Sequence, residues 1–307
     1  MKLSAWLTVG VLALLGIGAA PSDGAAPSDH LKFIPVSVCD ACWTLPYGIN
    51  DKGQISGSFF DAAGTTRAFV ETRNRYDVVN IPGAAFSELC RISDSGTAVG
   101  DYADANGIYH PFTRNLDGTL NLLSGCPGAT FSGAIDIFDH DKAILGYCTN
   151  DPAQTTGFVG YLLKGGHYLT GAFPGPKVIN TFYVYMNNHG DLVGSFERGT
   201  VANEHGFYRS PDGKWTQIDF PGSRQTEVFP IDNDGQMLGR YMDRQGVTHG
   251  CFLKNNHFQS FDFVGGKYPS TYIWTKNHRG FTVGYGFAGN PYGPPTQGFV
   301  VRLKGDR

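Results

Sequence analysis

The sequence is poor in charge and shows no helical pattern after residue 20. Asp, Glu, Lys and Arg make up 17% of the 307 residues, whereas soluble proteins typically contain ~25%. The 24 basic residues stand against 27 acidic residues, which gives a formal net charge of −3. Without a basic surplus there is no electrostatic basis for binding nucleic acid, so that class of partner is excluded. Apolar residues with a period of 3.6 are missing too, which excludes helical solenoids.

Catalytic and cofactor motifs are also missing. The sequence contains no Gly-x-Ser-x-Gly, no His-Glu-x-x-His, no phosphate loop and no dinucleotide-binding fingerprint. The segment Asp232–Gly235 resembles the beginning of a calcium loop, but the later ligands and the closing glutamate of such loops are absent. We therefore expect no bound metal and no cofactor.

Two residue classes are abundant. There are 42 glycines, about twice the usual share of ~7%, together with 22 Phe, 15 Tyr and 4 Trp. Disorder is excluded because disordered chains are rich in charge and poor in aromatic residues. A collagen-like structure is excluded because the glycines do not recur at every third residue. Many short strands joined by tight turns fit this composition, which predicts an all-β fold.

The N-terminal segment has the order of a secretory signal. Lys2 supplies a positive start, Ala5–Leu15 is an apolar run, and small residues dominate Gly16–Ala20. A membrane anchor is the alternative interpretation, but the run is shorter than the ~20 residues that span a bilayer. We predict that residues 1–26 are a signal peptide and short leader. Residues 30–307 are then one extracellular, monomeric domain without a membrane span.

A short motif that closes on glycine occurs six times in the rest of the chain. The six copies are Tyr47–Gly57, Arg91–Gly100, Phe138–Gly146, Met186–Gly194, Ile231–Gly239 and Lys276–Gly284. Their closing glycines are 43 to 48 residues apart. A phenylalanine element follows each copy, and a Pro-Gly element or its remnant follows the first five. Three ordered elements at a constant period are the signature of a repeat architecture.

Each repeat contains four apolar runs of strand length. In the first repeat they cover residues 44–49, 54–60, 66–71 and 75–81. Four strands at this period predict the blades of a β-propeller, and six copies predict six four-stranded blades. The last copy stops after its third strand at Leu303, whereas an unassigned strand begins at Lys32. We expect this N-terminal strand to complete blade six and to remove its free edge.

The repeat motifs resemble those of a known family. The order Gly-Ile-Asn-x-x-Gly-x-Ile-x-Gly, His-Gly-Phe and Pro-Gly-Ala resembles the HAF-repeat family of predicted extracellular proteins, over nearly the whole chain after its leader. Lys142 departs from the pattern at the turn glycine of the third copy, and Val264 replaces the proline of the fifth. The resemblance implies secretion and a propeller-like fold, but no particular reaction.

A functional site on a repetitive scaffold should lie where the copies differ. Two alternating positions on the innermost strands vary between copies and share one side of the strand. The first position holds Leu45, Glu88, Ala134, Phe182, Glu227 and Tyr272. The second position holds Tyr47, Cys90, Asp136, Val184, Phe229 and Trp274. We expect a ligand site here, at the mouth of the channel that the Pro-Gly loops form.

These positions supply acids and aromatic residues. The candidate catalytic residues are Glu88, Glu227, Asp136 and Tyr272. The candidate ligand-binding residues are Phe182, Tyr183, Phe229, Trp274, Arg91 and Arg224. With packed sheets ~10 Å apart, Glu88 and Glu227 face each other across the ring at roughly 7–12 Å, which overlaps the ~6.5–9.5 Å of an inverting glycosidase. The alternative is that the two glutamates only solvate the mouth or pair with Arg91 and Arg224.

Six cysteines in a secreted chain favour disulfides. The spacing Cys39–Cys42 also suits a metal or redox pair, but no second Cys-x-x-Cys supports a zinc site. We expect a disulfide from this segment to the ring, through Cys90. Cys251 stands where other copies have phenylalanine, so it is a candidate for an unpaired core residue.

Three function classes stay open. A binding protein for a small molecule or glycan needs only the aromatic mouth. An enzyme needs an acid there as well, as in an acid-assisted cyclase or pericyclase, a lyase or a glycan hydrolase, and the first of these rests on architectural analogy alone. A structural protein of an envelope or matrix needs neither.

Overall fold

The computed structural model describes residues 32–302 except 41, 62, 139, 256, 263–268 and 289–295. The predicted signal peptide and leader, residues 1–26, lie outside the described residues. Within the described ranges the chain forms β-strands and no α-helix, as the composition predicts. The described part therefore contains no helix that is long and apolar enough to cross a membrane.

The strands follow the repeats. An N-terminal strand, β1, covers Phe33–Val36. The first repeat contains β2 (Trp43–Ile49), β3 (Ile55–Phe60), β4 (Thr66–Thr72) and β5 (Arg75–Val78). The second contains β6 (Phe86–Ile92), β7 (Ala98–Ala103), β8 (Tyr109–Arg114) and β9 (Leu120–Leu122). The third contains β10 (Phe131–Phe138), β11 (Ala143–Thr149), β12 (Val159–Lys164) and β13 (His167–Gly171).

The last three repeats continue the pattern. The fourth contains β14 (Val178–Met186), β15 (Leu192–Arg198), β16 (Thr200–Arg209) and β17 (Trp215–Ile218). The fifth contains β18 (Gln225–Ile231), β19 (Met237–Met242), β20 (Thr248–Lys254) and β21 (His257–Phe261). The sixth contains β22 (Pro269–Lys276), β23 (Phe281–Ala288) and β24 (Thr296–Arg302).

The strands assemble into antiparallel sheets in sequence order. Repeats three, four and five each form a four-stranded sheet, and β22, β23 and β24 form a fourth sheet with β1. The first two repeats join into one eight-stranded sheet through a single parallel pair, Thr66↔Phe86, between β4 and β6. The prediction of six separate four-stranded sheets is therefore wrong for the first two repeats, because this contact fuses them.

The six innermost strands form a closed ring. Each contacts the next in the order β2, β6, β10, β14, β18 and β22, and β22 contacts β2 again. This radial arrangement of sheets is a β-propeller. Strand β1 pairs with β24 in register from Phe33↔Val301 to Val36↔Gly298, and the rings of Phe33 and Phe299 meet edge to face at 5.0 Å. The predicted pairing of an N-terminal strand with the last repeat is thus present.

The repeated phenylalanines fill the spaces between sheets. The side chains of Phe69, Phe112, Phe207 and Phe299 are fully buried in separate apolar clusters. Each cluster takes residues from two neighbouring repeats, so the core is divided among the interfaces between repeats. Cys251 is buried and unpaired in the same structural position, as predicted.

The first asparagine of the turn motif links neighbouring repeats. The Asn50 side-chain amide donates to the Ser93 carbonyl at 2.8 Å, and that of Asn187 donates to the Asp232 carbonyl at 3.1 Å. The Asn277 amide donates to the Asn50 carbonyl at 2.9 Å, which ties the last repeat to the first. The turn motif therefore reverses the chain and also connects neighbouring repeats by hydrogen bonds.

The third repeat has a different hairpin, and this changes its alignment. His140 and Asp141 adopt positive φ angles of 53° and 66° in the turn that lacks the usual glycine. Six residues separate the equivalent pair Ile137↔Ile144, whereas the other copies have five. The sequence alignment of the third inner strand is therefore one residue out. Gly133, not Ala134, is the structural counterpart of Glu88.

The disulfides differ from the prediction. Cys39 pairs with Cys42 across a Cα–Cα distance of 5.3 Å, and Cys126 pairs with Cys148 at 6.2 Å. Cys90 has a free thiol. The predicted link from the N-terminal segment to Cys90 is therefore wrong, because two cysteines three residues apart close on each other within one turn.

Candidate functional site

Every innermost strand contains a β-bulge at the same level of the ring. The pairing register with the second strand shifts there in all six copies. The bulged residues are Tyr47, Cys90, Ile135, Val184, the pair Phe229 and Pro230, and Trp274. A bulge re-aims the side chains around it, so that two successive residues can face the same space.

A cavity lies inside the ring at the level of the bulges. The bulged positions contribute Tyr47, Cys90, Ile135, Val184, Pro230 and Trp274 to its walls. The remaining wall residues are Arg91, Asp136, Tyr185 and Thr275, which follow bulges, together with Glu88 and Tyr147. The enclosed volume is about 40 Å³, room for about three water molecules. Beyond this enclosed part the cavity opens to solvent, and the whole recess contains about 610 Å³ of empty space, open solvent included.

An ion pair between neighbouring repeats forms one wall. Arg91 Nε lies 3.2 Å from Asp136 Oδ1, which also accepts a hydrogen bond from the Ile137 backbone at 2.9 Å. The Arg91 guanidinium lies 4.9 Å above the ring of Tyr185. Burial raises the pKa of Asp136 to about 6, although Arg91 and backbone donors oppose the rise. Asp136 therefore gains and loses a proton near neutral pH.

Two buried carboxyl groups lie at another wall. Glu88 and Asp101 are cross-strand partners, 4% and 0% exposed. The Cys90 thiol donates to Glu88 Oε1 at 3.8 Å, and the Tyr147 hydroxyl donates to Asp101 Oδ2 at 3.2 Å. Burial and the charge of Asp101 raise the pKa of Glu88 well above its ordinary value. Burial also raises the pKa of Asp101 to about 8, against the opposing hydrogen bond from Tyr147.

The second predicted glutamate is engaged elsewhere. Glu227 accepts two hydrogen bonds from Arg240, one from Nε at 2.5 Å and one from Nη2 at 2.7 Å. The guanidinium also lies 4.8–5.1 Å from the ring centres of Phe229, Tyr272 and Trp274. Glu227 is therefore neutralised by a buried arginine rather than presented to the cavity.

Two further acids lie near this ion pair. Glu197 and Glu204 are cross-strand partners and are almost fully buried. Burial raises the pKa of Glu197 to about 7, against a hydrogen bond from the Asn180 side chain. Burial and the charges of Glu227 and Glu197 raise the pKa of Glu204 well above its ordinary value. The fourth and fifth repeats thus enclose three carboxyl groups and one arginine.

The structure brings only some of the predicted site residues together. Glu88, Asp136, Arg91 and Trp274 line the cavity. Six others lie outside its walls: Glu227, Tyr272, Phe229, Phe182, Tyr183 and Arg224. Their surroundings explain this placement.

Five of these six contact other groups, beginning with Glu227, which pairs with Arg240. Tyr272 stacks on Tyr285 at 5.0 Å, and the Arg240 side chain lies close to the rings of Tyr272 and Phe229. The Phe182 ring packs in an aromatic core cluster. Tyr183 packs between sheets against Phe207 and Trp215, and Arg224 is exposed.

The comparison between sequence copies did not include the second strand of each repeat. The residue after each closing glycine pairs across the sheet with the first variable inner position. These residues are Ser58, Asp101, Tyr147, Ser195, Arg240 and Tyr285. They vary as much as the inner positions do, so the same comparison between copies, applied one strand further out, finds Asp101, Tyr147 and Arg240.

Solved structures of other proteins share this fold. AofleA from Arthrobotrys oligospora has a TM-score of 0.53 and 15% identity, over 81% of this chain and 79% of that one. The Aleuria aurantia lectin in complex with Fucα1-6GlcNAc has a TM-score of 0.50 and 12% identity, over 78% and 86%. TolB from Acinetobacter baumannii has a TM-score of 0.50 and 10% identity, over 83% and 65%. At these identities the likeness shows the propeller fold alone. No family model and no curated relative matches the chain.

Proposed function

We propose that this protein binds a small ligand in the cavity at the centre of the ring. The observation that carries the proposal is the convergence of all six innermost strands on one recess, through a bulge in each. The wall combines aromatic faces with a few polar groups, which is the composition of small-molecule sites.

The wall chemistry suits a ligand with a ring and hydroxyl or carboxylate groups. Trp274 and Tyr47 offer apolar faces, and their rings meet at 5.0 Å. Arg91 and Asp136 offer a donor and an acceptor side by side. A lectin solved with Fucα1-6GlcNAc has the same fold, which makes glycan fragments the first class to test.

The test is a binding screen with variants of the cavity wall. A library of small glycans and aromatic acids, including Fucα1-6GlcNAc and benzoate, is screened by saturation-transfer NMR, and hits are measured by calorimetry. We expect Trp274→Ala and Asp136→Asn each to weaken a hit at least tenfold. The matched controls are Trp43→Ala, on an inner strand outside the cavity, and Asp234→Asn in an exposed turn. Full affinity in both cavity variants, or no hit at all, would contradict the proposal.

A second candidate is an enzyme that uses Asp136 as an acid or base. The observation that favours it is a carboxyl group with a pKa of about 6 at the wall of the cavity. Such a value suits proton transfer at neutral pH. Incubation of the NMR hits with the protein, followed by mass spectrometry, distinguishes the candidates. An enzyme converts a hit and loses turnover in Asp136→Asn, whereas a binding protein returns every hit unchanged.

Three further expectations, on the number of blades, the localisation and the family, complete the proposal. We count the eight-stranded sheet as two blades joined at Thr66↔Phe86, so that the ring is a six-bladed propeller. We also propose secretion, on the basis of the sequence of residues 1–26 and the two disulfides. Membership of the HAF-repeat family rests on the order and spacing of the repeat motifs.

A further inference from the structure

We propose that Glu88, Cys90 and Asp101 bind a zinc ion at the wall of the central cavity. Each offers a ligand atom, and these atoms all lie within 4.8 Å of one another. Glu88 and Cys90 line the cavity, and Asp101 is the buried cross-strand partner of Glu88. A cysteine sulfur beside two carboxylates favours zinc over calcium or magnesium, which prefer oxygen alone.

The same two positions in the fifth repeat show what is missing here. There, Glu227 pairs across the sheet with Arg240, which carries the balancing charge. In the second repeat the arginine position holds Asp101, so two acids face each other. Among the described residues no basic side chain forms an ion pair with Glu88 or Asp101. Buried carboxylates need a cation or a proton, and this pair therefore has a place for an external cation.

An unsatisfied oxygen points to the same conclusion. Asp101 Oδ1 is buried and has no hydrogen-bond partner among the described residues. The other oxygen, Oδ2, accepts the Tyr147 hydroxyl at 3.2 Å, in the way that outer groups orient metal-binding carboxylates. Gly133 makes room for this contact, because a Cβ there would lie 2.5 Å from the Tyr147 oxygen and 2.7 Å from Asp101 Oδ2.

The thiol is available for a metal. Four of the six cysteines form two disulfides within the described chain, and the other free thiol, Cys251, is buried at a separate sheet interface. Zinc bond lengths and tetrahedral angles require ligand atoms about 3.4–3.6 Å apart, so the side chains need to close by only about 1 Å. Three protein ligands leave the fourth position to a cavity water or to the ligand itself.

The site goes beyond the proposed ligand function, and its test does not depend on which ligand the cavity takes. The full chain, freed of metal with a chelator, is titrated with Co²⁺ as a spectroscopic probe and then with Zn²⁺. We expect one equivalent of Co²⁺ to produce a sulfur-to-cobalt charge-transfer band, and Zn²⁺ to remove it. Zn²⁺ should also slow the alkylation of Cys90 by iodoacetamide at least tenfold.

Matched variants separate this site from other acids and thiols. Cys90→Ser should abolish the charge-transfer band, and Glu88→Gln and Asp101→Asn should each weaken Co²⁺ binding at least tenfold. Cys251→Ser and Glu204→Gln remove a buried thiol and a buried acid elsewhere, and both should bind Co²⁺ like the parent protein. If a carboxyl variant fails to fold, the alkylation of Cys90 in the unaltered chain still shows whether Zn²⁺ binds at this site.

Gly133→Ala tests the positioning of Asp101. This variant keeps all three ligands but crowds Tyr147 and Asp101, so we expect 10–100-fold weaker Co²⁺ binding with the charge-transfer band retained. A parent protein that gives no band and no Zn²⁺ protection of Cys90 would overturn the proposal, since the acid pair would then hold a proton instead. A band that persists in Cys90→Ser would overturn it as well.

Discussion

Replacing Arg240 by methionine should be among the most destabilising single substitutions in the ring. The guanidinium makes two hydrogen bonds to Glu227 and lies close to three aromatic rings. Burial and the charges of Glu227 and Glu197 raise the pKa of Glu204 above its ordinary value, and the charge of Arg240 opposes this rise. Removing the arginine leaves Glu227 as a buried, uncompensated charge beside Glu204 and Glu197.

The size of the effect follows from the burial of the pair. Both side chains are nearly inaccessible, at 8% and 12% exposure. Removing one partner of a buried ion pair costs about 3–5 kcal/mol, which for a domain of this size lowers the melting temperature by on the order of 10 °C. Replacing both partners costs much less, because no charge is left without a partner. The double variant Glu227→Gln/Arg240→Met should therefore be more stable than Arg240→Met alone.

Guanidinium unfolding followed by tryptophan fluorescence measures Arg240→Met, Glu227→Gln and the double variant, since Trp274 lies beside Arg240. The control is Arg67→Met, which breaks the exposed pair with Asp61 and should cost about 0–1 kcal/mol. A loss below 1 kcal/mol for Arg240→Met, or strict additivity in the double variant, would refute the argument that this arginine balances the acids around it.

Three further predictions concern the ring and its packing. Deleting residues 32–37 removes β1 and exposes the edge of β24, so the melting temperature should fall and aggregation should increase; unchanged melting and solubility would contradict closure by β1. Glu197 has a pKa of about 7 in the folded chain and 4.5 ordinarily, so wild-type stability should decline as pH rises between these values. Glu197→Gln should flatten that decline by up to about 3 kcal/mol in pH-dependent urea titrations, and an unchanged slope would count against it. Gly160→Ala places a Cβ against the ring of Tyr183, so it should cost about 1–3 kcal/mol in thermal unfolding, and Tyr183→Leu should recover part of the loss if the overlap is the cause.

The repeat pattern was sufficient to predict the all-β propeller, the strands within each repeat and the pairing of β1 with β24. It succeeded because strand length, turn glycines and buried phenylalanines are set locally and recur six times. The repeat pattern could not predict that the first two repeats join at Thr66↔Phe86, because a single parallel contact between them does not change the spacing of the motifs.

The candidate site was harder to predict because bulges change which residues face inward. Simple alternation on β6 places Glu88 and Cys90 on one face and does not explain why Arg91, which was also a candidate, lines the same cavity; the bulge at Cys90 does. Asp136 lines the cavity, but it was chosen as the counterpart of Cys90, whereas the structure makes it the counterpart of Arg91. Glu227 was chosen for its charge, and its partner Arg240 lies on a strand that the comparison between copies did not include.

The pairing of β1 with β24 also sets the order in which the molecule can be completed. Residue 33 is made long before its partner, residue 301, which belongs to the last of the described strands. At ~5–20 residues per second of synthesis, β1 waits on the order of 15–55 seconds for the strand that completes its sheet. During that time the other described sheets can assemble, while the pairing between β1 and β24 is still missing. Among the described strands this pairing therefore joins the first and the last to be made, and a delay in it would expose an unpaired edge to other copies.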